Sequence, residues 1–384
     1  MSLIALILLA LCSAWTVAGL ASVVRTTRQR RGARIPPMRD GLPPVTVLKP
    51  LCGADPGLAE NLASFFAQDY PDFEIVLGVE DPADPAVGVV RELGRRYPGA
   101  RARLVVHRGA AATNPKVRNL LGMLPHARHD LLLVSDSNVR VPPHYLREMV
   151  AVMLACPRVG LVSSLIAGQG EDTLGGALES VQLNGFCAAG ATLPTSVGDA
   201  AVIGKSMLFS HALFERLGGF VRVSHLLAED FVMGKIFQHA GYQVRLGRTV
   251  LDNVTTGMSV AAFCRRHLRW SMLRLRLRPL AYLLEPMTSP LTLLPIGWLG
   301  LGPAALGWVL ALLCLRDAGG WLALRGPRRV WIPLLLAPLR DLAISLVWLY
   351  APLERHVTWR GNRVRLGAGT LLFARAACGA RGSV

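Results

Sequence analysis

Charge is what this sequence has least of. Of its 384 residues only 17% are Asp, Glu, Lys or Arg, while 52% are hydrophobic; ordinary soluble domains carry about 25% charge. That poverty excludes an intrinsically disordered chain, which needs low hydrophobicity and high net charge, and argues against an ordinary cytosolic protein. Acids are scarcer than bases, 25 against 42, for a net charge of +17. On so apolar a chain, this points to a membrane surface or anionic substrates before nucleic acid. Lysine is nearly missing: Lys49, Lys116, Lys205 and Lys235 are four of the 42 bases, leaving 38 arginines. The surviving lysines therefore stand out as candidates for a specific role. The seven cysteines are odd in number, scattered and without a C-x-x-C pair. They support neither a disulfide framework nor a zinc site and suit a reducing compartment.

The apolar residues concentrate at the two ends. Residues 1–24 contain no charge, and Leu3 to Val24 is long enough to span a bilayer, which takes about 20 residues. Basic residues follow this run (Arg25, Arg28, Arg30, Arg31, Arg34) rather than precede it, so a retained anchor is expected rather than a signal peptide. The positive-inside rule then puts residues from 25 onward on the cytoplasmic side. Residues 25–44 are a basic, Pro-containing linker. In residues 45–260, strand-length apolar runs (Val45–Leu48, Glu74–Val79, Ala102–Val106, Asp130–Val134) alternate with amphipathic segments such as Leu58–Phe66 and Ala86–Tyr97. That βαβα rhythm predicts a mostly parallel sheet flanked by helices; this region has no internal repeat or low-complexity tract. Residues 261–280 form an Arg-rich interfacial helix. Residues 281–353 are membrane helices, two or three in number, with a hairpin break expected near Gly300–Pro303. Arg340–Asp341 interrupts the last apolar block, as a helix-bundle or lipid-headgroup contact or as an interfacial re-entrant turn. Residues 354–384 read as a basic cytoplasmic tail.

Four clusters in the central region carry candidate chemistry. Ligands of open α/β sheets bind at the carboxyl ends of strands, where Glu80-Asp81 follows an apolar run; such an aspartate is also an ordinary loop residue. Asp136-Ser137-Asn138 follows Leu131-Leu132-Leu133-Val134-Ser135. An acid there can hold a hard cation, Mg²⁺ or Mn²⁺, shared with a diphosphate, or merely cap the next turn. Glu229-Asp230 enters a helical stretch running to about Ala240, where one carboxylate can act as general base or simply favour a helix N-terminus. Upstream, Gly218-Gly219-Phe220 is a flexible loop able to close over a substrate. The fourth cluster is Arg265-Arg266-His267-Leu268-Arg269-Trp270. Guanidinium forks match phosphate and an indole offers a flat face for a sugar. The arginines beyond it, Arg274, Arg276 and Arg278, are expected to face lipid headgroups.

The order Asp81, Asp136-Ser137-Asn138, Glu229-Asp230, Arg266-x-x-Arg269-Trp270 resembles the D, D-x-D, D, (Q/R)-x-x-R-W signature of membrane inverting glycosyltransferases. More narrowly it resembles the ceramide glucosyltransferase family (family 21, family 2-like). Val47-Leu48-Lys49-Pro50-Leu51, Gln68-Asp69-Tyr70-Pro71, Asn114-Pro115-Lys116, Glu285-Pro286 and Trp359-Arg360-Gly361-Asn362-Arg363-Val364-Arg365-Leu366 belong to the likeness, which runs from about Val45 to Leu366. The resemblance implies an α/β GT-A type (Rossmann-like) nucleotide-sugar domain with transmembrane helices at both ends. It implies a UDP-sugar donor, a lipid acceptor (ceramide or hopanoid-like) and a divalent metal. Asp81 would contact uridine, Asp136 would hold the metal on the diphosphate, and Asp230 would deprotonate the lipid hydroxyl. Arg266, Arg269 and Trp270 would close on the diphosphate and acceptor. Lys49, Lys116 and Glu229 fall with them as substrate-binding residues, and Lys205 lies close by. Two features depart from the family. Asn138 replaces the second carboxylate of D-x-D, and Cys187 stands near the histidine that animal members carry, in a stretch (Asn184–Gly190) without histidine.

The expectation is therefore glucose or related hexose transfer from a UDP-sugar to a lipid hydroxyl, with inversion, by a multi-pass protein of a bacterial plasma membrane. The alternatives are a hopanoid or other lipid N-acetylglucosaminyltransferase, a processive polysaccharide synthase, for which the spans are few, or a basic membrane-anchored binding protein. Nucleic acid is not expected as a partner, because the basic excess lies beside apolar spans and not on an aromatic-interleaved face.

Overall fold

The computed structural model describes residues 1–31, 41–109, 111–196, 198–199, 202–359 and 362–373. Residues 32–40 of the 25–44 linker, the Arg360-Gly361 step of the quoted C-terminal stretch and residues 374–384 lie outside the described residues.

The strands, in chain order, are β1 (Val45–Pro50), β2 (Phe73–Val79), β3 (Ala102–Val106), β4 (Leu131–Ser135), β5 (Val139–Arg140), β6 (Val159–Ser163), β7 (Ile166–Gln169), β8 (Ser206–Ser210), β9 (Gln243–Leu246), β10 (Leu251–Val254), β11 (His356–Trp359), β12 (Asn362–Leu366) and β13 (Leu372–Phe373). A seven-stranded sheet has the order β3-β2-β1-β4-β8-β6-β9. β1, β2, β3 and β4 are parallel, β8 runs antiparallel to both β4 and β6, and β6 is parallel to β9. β1 and β4 are buried over nearly their whole length, which is why they read as continuous apolar runs rather than alternating ones. Helices cover both faces. Leu58–Phe66 and Ala86–Arg96 present Phe65, Leu62 and Val90 to one core. Pro115–Met123 and Glu229–His239 present Leu120 and Phe237 to the other. A second, small sheet, β5-β10-β7, stands beside the carboxyl ends of β4 and β6.

Gly218-Gly219-Phe220 is not a lid. The two glycines take positive φ, 104° and 57°, in a tight turn that drives the fully buried Phe220 against Phe209 and Phe214. The turn is anchored in the core, away from the cleft.

Three helices are long and apolar enough to cross a membrane: Ser2–Gln29, Ala304–Arg325 and Trp331–Leu353. The expected break falls at Gly302, at φ 63°, before Pro303. The first leg, Pro290–Leu301, belongs to the shorter apolar helices; at 1.5 Å per residue it falls short of a bilayer's ~30 Å core. The N-terminal helix packs on more than its membrane partners: Trp308 Nε1 donates to Ser13 Oγ, and Ser22 hydrogen-bonds Thr192 in the helix Ala188–Ser196. Helix Ala304–Arg325 crosses the π-helical stretch Leu183–Cys187 with backbones nearly touching. A Cβ on Gly320 would meet the Asn184 carbonyl oxygen at 2.2 Å. Small residues permit such approach.

Residues 356–373 do more than form a tail. β11, β12 and β13 make a third sheet whose Val357, Leu366 and Leu372 share a buried cluster with Leu227, Met272 and Tyr282. Nor do the late arginines face headgroups alone. Arg274 binds Glu285 at 2.8 Å, Arg278 binds Asp199 at 3.0 Å, and Arg276 donates to the Leu366 carbonyl. Arg340 and Asp341 sit in an unbroken helix, facing Arg316 and Asp317 inside the bundle; the re-entrant turn is not formed.

Candidate active site

A cleft of about 1020 Å³ opens where β1, β2 and β4 end. Eight of the nine side chains singled out in the sequence line it: Asp81, Lys116, Asp136, Glu229, Asp230, Arg266, Arg269 and Trp270. The ninth, Lys49, is fully buried behind the wall. Its Nζ donates to the Asp136 carbonyl at 2.7 Å and lies 3.7 Å from the Phe65 ring centroid. Burial pushes its ammonium well below the usual lysine range. Lys49 braces the loop after β4 and does not contact the cleft.

Asp136 is the hub. Its two carboxylate oxygens take Lys116 Nζ and Lys205 Nζ, each at 2.9 Å. Lys116 comes from the first turn of a helix that Asn114 caps by accepting from the N–H groups of Lys116 and Val117, with Pro115 at its first position. The same ammonium donates to the Gly204 carbonyl at 2.7 Å and pairs with Glu229 at 3.3 Å. Burial would raise the Asp136 carboxyl, but Lys116 and Lys205 overcome it and hold the group well below the usual carboxylate range. Burial would lower Lys116; the carboxylates of Asp136, Glu229 and Asp230 lift it above its ordinary value. Glu229 is pushed up by burial, against the pull of Lys116. Thus three of the chain's four lysines converge on residue 136.

Asp230 opens the helix Glu229–His239. One of its oxygens accepts the Gly204 N–H at 2.8 Å, the other its neighbour Phe231's N–H at 2.7 Å. Asp230 and Trp270 belong to two walls at once. They line the polar cleft and also a small pocket of about 230 Å³ whose other sides include Phe231, Leu273 and Leu277. Asp81 is exposed and accepts the Ala83 N–H at 2.8 Å. Beside it, Glu80 and Arg118 form a bidentate pair, both contacts 2.8 Å.

The Arg-Trp helix, Val260–Leu277, is capped by Ser259 and held by a residue the sequence did not single out. Glu179, with no exposed surface, accepts from Arg266 at 2.8 Å and His267 at 2.7 Å. His267 stands edge-on to Trp270, ring centroids 5.1 Å apart. Burial would raise the Glu179 carboxyl; His267 and Arg266 bring it down to about 2. Burial lowers His267, so near neutrality an uncharged ring N–H and the Arg266 cation share this carboxylate. Because the folded Glu179 lies at about 2 against an ordinary 4.5, its stabilisation is complete above 4.5 and is lost as pH falls toward 2. Glu179→Gln is expected to lower stability by about 3 kcal/mol near neutrality, since one side of a buried pair is lost. Thermal melts should show that penalty shrinking from pH 6 to pH 3; equal penalties at both pH values would contradict the assignment.

Among the described residues, no three His, Cys, Asp or Glu side chains gather as a metal site. The donors present are the Asp136 carboxylate and Asn138 Oδ1, which accepts from Lys205 at 2.9 Å. Each oxygen keeps a further lone pair. One carboxylate and one amide oxygen fit a hard cation that takes its other ligands from phosphate and water, as Mg²⁺ does. Cys187 lies on the cleft wall with its thiol pushed by burial up to about 12.

A mostly parallel sheet with one reversed strand, a small companion sheet and an acid-lined cleft at the strand ends define an α/β GT-A type domain, the catalytic domain of glycosyltransferases. The chain belongs to glycosyl transferase family 21, whose model matches residues 5–372. Ceramide glucosyltransferase 1 of Caenorhabditis elegans is 24% identical over 338 residues, 85% of this chain and 72% of that protein. The ceramide glucosyltransferase of Komagataella phaffii is 37% identical over 130 residues, covering 32% of this chain and 24% of that one. Among solved structures, the mannosyltransferase PcManGT from Pyrobaculum calidifontis, in complex with GDP-Man and Mn²⁺, aligns with TM-score 0.48 and 22% identity over 89% of this chain and 99% of that one. The protein is a membrane-associated glycosyltransferase.

Proposed function

We propose that the protein transfers glucose, or a related hexose, from a UDP-sugar to the hydroxyl of a membrane lipid, ceramide foremost, with inversion at the anomeric carbon. The observation that carries this reading is the place of Asp230, on the wall common to a polar cleft and an apolar pocket beside the Arg-Trp helix. A carboxylate so placed meets a sugar donor on one side and an aliphatic acceptor on the other. In a single displacement the acceptor oxygen bonds to the anomeric carbon as the bond to the UDP oxygen breaks. Asp230 takes the hydroxyl proton. Lys116, Arg266 and Arg269 stabilise the charge gathering on the departing diphosphate, Asp81 contacts the uridine, and Glu229 positions Lys116. Asp136, with Asn138, would hold a divalent ion, which when bound supplies further charge neutralisation at the diphosphate. The basic residues after the first apolar helix support a cytoplasmic catalytic domain, and the block at 45–260 supports a catalytic unit carried by the helices around it.

The test is an assay of the full chain in vesicles with UDP-glucose, a divalent ion and ceramide, diacylglycerol or hopanoid. The expected products are UDP and a monoglycosylated ceramide. A long polymer, or UDP release indifferent to the lipid supplied, would overturn the reading. Gly204 offers a finer check, because a Cβ there would stand 2.4 Å from Asp230 Oδ2. Gly204→Ala is expected to displace that carboxylate and lower kcat by about 10²-fold with little change in Tm; an unchanged kcat would separate Asp230 from the reacting atoms.

A further inference from the structure

Asp136 and Asn138, the two donors that fit a hard cation, already share one from the chain itself. Lys205 Nζ donates to Asp136 Oδ2 and to Asn138 Oδ1, each at 2.9 Å, so a single ammonium bridges both oxygens. Lys116 Nζ takes the other oxygen, Asp136 Oδ1, also at 2.9 Å. A divalent ion bound by the same oxygens would share its ligands with like charges, and such repulsion is strong where little water screens it.

The two ammonium groups are not equivalent. Lys116 is also held by Glu229 at 3.3 Å and by the Gly204 carbonyl at 2.7 Å, so it keeps a counter-charge when Asp136 turns to another cation. Lys205 pairs with no acid but Asp136 among the described residues. Its backbone is fixed: the Asp136 N–H donates to the Lys205 carbonyl at 3.1 Å, and the next residue, Ser206, opens β8 opposite Ser135. Its side chain is 17% exposed and lines the cleft with Lys116, Arg266 and Arg269. The flexible four-carbon stem of a lysine can therefore carry the ammonium into the cleft while the sheet stays still. Turned from Asp136, it is a cation that must find an anion. The diphosphate of the proposed donor is such an anion.

We propose that Lys205 is an exchangeable cation: it yields Asp136 and Asn138 to a divalent ion and pairs instead with the nucleotide diphosphate. Metal without diphosphate strands Lys205, so each ligand favours the binding of the other, and the coupling is reciprocal. The inference rests on the proposed nucleotide-sugar donor and is independent of the acceptor.

The test reads binding, not turnover. Mn²⁺ is titrated into the full chain in lipid nanodiscs, with and without UDP, and free Mn²⁺ is followed by electron paramagnetic resonance. Each series is corrected for Mn²⁺ held by UDP and by empty nanodiscs. UDP is expected to tighten Mn²⁺ binding about tenfold or more. Lys205→Met should tighten the binding of Mn²⁺ alone by about tenfold, because one charge-assisted contact need no longer be broken, and should shrink the UDP effect by the same factor. A residue that merely supports the site would act with the opposite sign, since its loss weakens Mn²⁺ binding. If Lys205→Met misfolds, Lys205→Gln keeps a hydrogen-bond donor without the charge and should act in the same direction. Lys235→Met removes an equal charge, paired with Asp199, and should change neither value. Equal tightening by Lys235→Met, weaker Mn²⁺ binding in the folded Lys205 variant, or a parent indifferent to both UDP and GDP would overturn the proposal. GDP acting in place of UDP supports the exchange and contradicts only the choice of uridine. A parent that shows the full pattern but makes no glucosylceramide contradicts the proposed transfer alone; one that makes it while its Mn²⁺ affinity ignores nucleotide contradicts this role of Lys205 alone.

Discussion

Asp230→Asn is expected to lower transfer by about 10³-fold or more, as loss of a general base does, while UDP-sugar binding stays near its original strength. The substitution is nearly isosteric. The asparagine oxygen can still accept one of the two backbone N–H groups now shared between Gly204 and Phe231, so the helix start should survive. What disappears is the group able to take a proton. The contrary reading is that Asp230 merely suits a helix N-terminus, where an acid contributes about 0.3–1 kcal/mol. In that case Tm would fall slightly and kcat would hold. Measuring kcat and donor affinity on one preparation separates the two readings.

The second large effect concerns Lys116. Its ammonium binds Asp136 at 2.9 Å, Glu229 at 3.3 Å and the Gly204 carbonyl at 2.7 Å. With methionine there, the buried Glu229 and the partly buried Asp136 lose a shared counter-charge. A loss of about 3–5 kcal/mol in stability is expected, and donor affinity should fall with it. Lys116→Arg should not restore activity, because a planar fork cannot reproduce three contacts made from one point. If Lys116→Met melted like the parent and kept its KM, the site would have been assembled wrongly. Glu229 gives an internal control: without Lys116 its carboxyl, already pushed up by burial, should rise further and titrate in a difference spectrum of the variant.

The elements that were legible in the sequence are those whose signal is local. Leu58–Phe66 is amphipathic with sharp ends, and the helix found has those limits. The apolar runs at 45, 74, 102 and 130 became β1 to β4, and β1, β2 and β4 carry a lysine or an acid at the carboxyl end. Lysine scarcity was a useful pointer as well: it marked Lys116 and Lys205, although Lys49 turned out to brace the backbone of Asp136 from behind. Other features were hidden because their cause is not local. No pattern within Ser206–Ser210 tells that β8 runs against its neighbours. Glu179 sits in a short helix, Leu174–Gln182, that reads as an ordinary one; only its burial against the Arg-Trp helix reveals its part. In the sequence Arg316-Asp317 merely ends the uncharged run from Pro290 to Leu315; only the fold sets it opposite Arg340-Asp341.

The small third sheet has a consequence for how the molecule matures. The Leu227 N–H donates to the Thr370 carbonyl at 3.0 Å and the Leu372 N–H to the His225 carbonyl at 2.8 Å. The stretch leading into Glu229 and Asp230 is therefore finished by residues synthesised after both late membrane helices. A ribosome that has released β1–β10 has not yet delivered the residues that hydrogen-bond this stretch. The approach to Glu229 and Asp230 is thus completed only after both late apolar helices have been made, and a protease that nicks the loop before β13 is expected to impair transfer without touching Glu229 or Asp230.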